Sequence, residues 1–83
     1  MFRLLVNQEE KEMLRMMEQR ILHDIERATK MANCLVKRDL LNQILGFLSC
    51  YLWANGDQEF YCTNMERVVH CLVYCFDGDQ EDE

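Results

Sequence analysis

Five cysteines and two histidines are the residues of this chain best suited to chemistry. Cys71 and Cys75 stand four apart, with His70 adjacent and Cys62 upstream, so on a helix the two thiols share a face. A tetrahedral zinc site needs four deprotonated ligands at about 2.0–2.3 Å, and a C-x3-C pair with its histidine pointing elsewhere lacks the usual spacing. Arg67, one turn before Cys71, is a cation of the kind that lowers a thiol pKa. A redox or metal sensor using Cys62, Cys71 and Cys75 is therefore one reading of the chain. Buried thiols acting as small apolar side chains are the simpler one, and no metal or cofactor is expected.

With Cys34 and Cys50 the count is odd, there is no CxxC pair, and the cysteines lie inside apolar segments. That pattern suits reduced thiols in a cytoplasmic setting better than an extracellular disulfide framework. His23 and His70 belong to no catalytic signature, and no nucleophile elbow, phosphate-cradling loop or HExxH is present. A helical chain of 83 residues also offers little concave surface to a substrate, so no catalytic residue and no enzyme activity are expected.

The elements that carry these residues are organised around the stretch 39–56, DLLNQILGFLSCYLWANG. At about 100° per residue, Leu40, Ile44, Phe47 and Tyr51 form one apolar row, and Leu41, Leu45, Leu48 and Leu52 form a second beside it. Two rows require two partners, so this helix belongs in the middle of a bundle or at the seam of a dimer. Its end is marked by Asn55-Gly56, with Gly56 suited to the position just past a helix. On its back face Asn42, Gly46, Ser49 and Trp53 form a strip of small residues with a bulky end, and Gly46 suggests a close helix contact.

Upstream, Asn7 with Glu10 offers a capping box, and Leu14, Met17, Ile21, Ile25, Ala28, Ala32 and Leu35 recur at steps of three and four. Arg20 with Asp24 and Glu26 with Lys30 are placed as a solvated, ion-paired face. Extended as one rod, this stripe would meet the Leu40 row about a quarter turn out of phase. A break near 36–38, with Asp39 as the next cap, removes the conflict; a continuous or kinked rod is the alternative. Downstream, Thr63-Asn64-Met65-Glu66 reads as a capping box that starts a third helix carrying Met65, Val69, Leu72 and Phe76. The β-branched run over 68–76 makes a strand the competing reading, and the cap with its 3–4 spacing favours helix.

These patterns predict an all-α fold: a three-helix antiparallel bundle with helices near 8–36, 39–55 and 64–77, with homodimerisation as a way of completing it. The domain is 1–76, followed by an acidic disordered tail over 77–83. That division also explains the net charge of −6: residues 1–76 hold ten acids and nine bases, and 77–83 hold the other five acids. A near-neutral folded part without a basic stripe speaks against direct nucleic-acid binding. The run 40–54 spans about 22 Å as a helix, short of the hydrocarbon core, so no membrane span is expected.

What remains is a protein that acts by binding another protein through apolar helix surface: an adaptor, a chaperone-like protein or a regulator. The residues expected to bind the partner are Leu41, Leu48, Leu52, Trp53, Phe60, Tyr61 and Met16, with a second copy of the chain among the partners. The alternative is an inhibitor or immunity protein that blocks an enzyme or a nucleic-acid-binding protein, its acidic tail meeting a basic groove.

Overall fold

A computed structural model describes the backbone of residues 2–81 and the side chains of 8–75. Three helices follow one another, α1 (Phe2–Lys30), α2 (Cys34–Trp53) and α3 (Gln58–Glu81), as the all-α three-helix reading expects. α1 and α2 fold back on each other rather than forming one rod, since Arg20 lies 5.1 Å from the centre of the Phe47 ring and Glu18 meets Tyr51. α2 packs against both α1 and α3, whereas α1 and α3 make little contact with each other. Both of its apolar rows are thereby used. Leu40, Leu41, Ile44, Leu48 and Tyr51 are buried in one cluster with Ile21, Ile25 and Ala28 of α1 and Val68 of α3.

The boundaries differ from the expected ones at each junction. The first break falls at 31–33, where Asn33 is extended at φ −79° and ψ 113° and its side chain accepts hydrogen bonds from the amides of Leu35 and Val36 at 2.9 and 3.2 Å. Asn33, not Asp39, caps α2. Ala32 and Leu35 consequently leave the α1 stripe and are exposed, Leu35 at 66%.

At the second junction the Thr63 box lies in the interior of α3, and the start is made by Asp57, whose carboxylate accepts from Glu59 and Phe60 amides at 2.8 and 3.2 Å. Asn64 is buried instead. Its Nδ2 donates to the Phe60 carbonyl and its Oδ1 accepts from Arg67, which satisfies both ends of the amide. Helix continues through 68–76, so the strand alternative falls.

At the two ends, Asn7 lies within α1 rather than at its start, and α3 runs on to Glu81 rather than stopping near 77. Residues 82 and 83 of the expected tail lie outside the described residues. Nor are Arg20 and Asp24 a solvated pair: Asp24 is buried, held by Arg20 at 3.0 Å and Arg27 at 3.4 Å, while Glu26 and Lys30 do pair at the surface at 3.4 Å.

The molecule measures 59 × 17 × 14 Å, with a radius of gyration of 15.3 Å. A compact chain of this length would have about 12 Å. Stagger accounts for the difference: Glu18 lies level with Tyr51, so the first turns of α1 run past the end of α2.

Candidate docking surface

The α2–α3 corner is fixed from inside by Tyr51. Its hydroxyl donates to the Glu18 carboxylate and accepts from the Asp57 amide at 2.8 Å, and its ring lies 5.0 Å from that of Phe60. Burial, with the Glu18 hydrogen bond, pushes the phenol up to about 12. Past the end of α2, the Gly56 amide bonds the Tyr51 carbonyl and the Asn55 amide bonds that of Leu52, each at 3.0 Å, the paired pattern of a Schellman turn. The left-handed residue is Asn55 at φ 66°. Gly56 has a different reason to be glycine: a Cβ there would stand 2.4 Å from Tyr51 ring carbons.

At the same end, beside the charged Lys11, Arg15 and Glu18 that line the α1 side of the corner, large apolar side chains are exposed. Trp53, in the last turn of α2, is 88% exposed, and Met16 on α1 is 68% exposed. Met13, Met16 and Met17 of α1, with Arg20 and with Phe47 of α2, line a groove of about 410 Å³. Arg20 is fixed in it between the Asp24 carboxylate and the Phe47 ring, so its charge is already partnered. Soft thioethers, an aromatic ring and a guanidinium plane together make a lining that favours an incoming aromatic side chain. A second, shallower groove of about 570 Å³ runs along α3 between Met65, Glu66, Val69, His70 and Val73.

Of the seven residues singled out for partner binding, Trp53 and Met16 face outward. Leu41 and Leu48 are fully enclosed in the core instead, because α1 and α3 of the same chain already cover both rows of α2. Leu52, Phe60 and Tyr61 are half-buried, and the two aromatics pack onto the core. The sequence patterns put Arg20 on an ion-paired face and Phe47 in an apolar row, and did not place either at a surface groove.

Gly46 makes no close helix contact within the chain, since an added Cβ would meet nothing within 4 Å. Cys50 and Cys62 are exposed, Cys34 and Cys71 half-buried and Cys75 buried, all as thiols rather than half-cystines. Among the described residues no three His, Cys, Asp or Glu side chains are grouped to hold a metal ion, and no helix is long and apolar enough to cross a membrane. Compared with protein-family models, with curated proteins and with solved structures, the chain matches none.

Proposed function

We propose that this chain is a non-enzymatic protein–protein interaction module, an adaptor, chaperone-like protein or regulator, that docks through the apolar surface around Trp53 and the methionine groove. The observation that carries this reading is the exposure of Trp53, 88%, at the same end of the bundle as Met16. Burying one tryptophan removes about 150–250 Å² from water, a gross gain of roughly 4–6 kcal/mol at 25 cal/mol per Å². Tryptophans so placed are frequent anchors of interfaces, and methionine side chains adapt to the shape that arrives.

The test is affinity capture from cells with the tagged full-length chain, run in parallel with Trp53→Ala and Met16→Ser. Both substitutions lie at the surface, and unchanged circular dichroism will show that the fold is intact. The expected result is a protein retained in stoichiometric amount by the parent chain and lost from both variants. Identical retained proteins in all three captures would overturn the reading.

A further inference from the structure

We propose that Asn55 is a modification site, an asparagine that converts slowly to isoaspartate, and that the corner built on Tyr51 controls how fast it does so. Five asparagines occur in the chain, and only Asn55 is followed by glycine. A glycine nitrogen has no neighbouring side chain to hinder its approach to the asparagine amide, so an Asn-Gly pair is the one most prone to close on itself. The other asparagines with described side chains are differently placed. Asn33 holds two amides as a helix cap, Asn64 is buried with both ends of its amide bonded, and Asn42 lies inside α2. Asn55 is exposed in the turn, at φ 66°.

The reaction needs only water as co-reactant. The Gly56 nitrogen gives up its proton and attacks the side-chain carbonyl carbon of Asn55; the new N–C bond closes a succinimide, and the amide nitrogen takes up a proton and leaves as ammonia. Water then opens the ring. Attack at the main-chain carbonyl gives isoaspartate, whose backbone runs through the former side chain and is one carbon longer, and attack at the other carbonyl gives aspartate. Nothing is oxidised or reduced, and either product adds one negative charge.

In the folded chain this nucleophile is held. The Gly56 amide donates to the Tyr51 carbonyl at 3.0 Å, and ring closure has to break that bond and swing the peptide between 55 and 56. Gly56 also lies against the ring of Tyr51, which is fully enclosed, so the swing requires that ring to move. The phenol is tied in turn to Glu18 of α1 and to the Asp57 amide. Glu18 thus protects an asparagine on the far side of α2. Once isoaspartate forms, the longer backbone no longer lets the amides of 55 and 56 reach the Leu52 and Tyr51 carbonyls together, so the corner cannot close again.

The experiment incubates the full chain at mildly alkaline pH, folded and in urea, and follows the tryptic peptide 39–67 by mass spectrometry with fragmentation to place the change. Conversion of amide to carboxylate alters the mass, whereas isomerisation at Asp77-Gly78 does not and lies in another peptide. In urea Asn55 should be lost with isoaspartate as the main product, and in the folded parent at least about tenfold more slowly. Tyr51→Phe and Glu18→Ala, each keeping its helical spectrum, should raise the folded rate at least about fivefold. Asn33→Ala, which weakens the other junction, should age at the parent rate.

No conversion at Asn55 in urea overturns the site, and equal rates in folded and unfolded parent overturn its protection. Parent rates in both Tyr51→Phe and Glu18→Ala remove the corner as the gate. An Asn33→Ala rate matching theirs does the same, because general unfolding would then be the cause.

Discussion

Between α1 and α2 the chain turns over 31–33, and the link is held by the Asn33 side chain on two exposed amides, with the Met31 amide closing the previous turn onto the Ala28 carbonyl at 3.2 Å. Between α2 and α3 it turns over 54–57 around a buried ring. Tyr51 joins the turn to α1 through Glu18, accepts from Asp57 and fills the space where a Gly56 side chain would go. One junction is local and repairable by water; the other couples all three helices. The contrast shows that two loops of similar length can differ widely in tolerance to substitution.

The sharpest way to break the contrast is Gly56→Ala. The overlap at 2.4 Å with an enclosed ring leaves no escape by side-chain rotation, so a loss of about 3 kcal/mol is expected by urea denaturation. Combining it with Tyr51→Leu should cost less than the sum of the two single losses.

Tyr51→Phe comes next. It strips the Asp57 amide and Glu18 of a partner, for about 1–3 kcal/mol in the same measurement. It also carries a pH signature. The phenol is raised from 10.0 to about 12 in the folded chain, so its contribution is fully present below pH 10 and is lost as pH climbs towards 12. The stability difference between parent and Tyr51→Phe should therefore shrink over that interval.

At the other junction Asn33→Ala removes the cap and should cost about 1 kcal/mol, lowering the melting temperature without changing the α2–α3 corner. Smallest is Asn55→Gly. It relieves a left-handed asparagine at φ 66° but adds freedom to the unfolded chain, so the midpoint should move by less than about 0.5 kcal/mol.

The same contrast explains what could be read from residues alone. The two apolar rows of α2 were legible because their spacing is regular and both are used within the chain. The break at 31–33 was hidden, since no Gly or Pro marks it and Ala32 and Leu35 continue the α1 rhythm after the helix has ended. Thr63 to Glu66 misled in the opposite direction. A capping box has the right composition wherever it falls, but Asp57, six residues earlier, had already started the helix and left Asn64 to a buried role. Trp53 and Met16 were recognisable as misfits to their stripes, whereas Arg20 and Phe47 meet only through the pairing of α1 with α2.

Because the outer helices hardly touch, every tertiary contact of consequence joins neighbours in sequence. Such an architecture has short loops to close and little entropy to lose before each helix pair is rewarded, so it should assemble rapidly by zippering from one hairpin to the next. It also gives each outer helix its own leaf on a shared spine. Amide exchange should find α1 able to lift away while α2 and α3 stay paired, a mode of opening that a tightly triangular bundle would forbid.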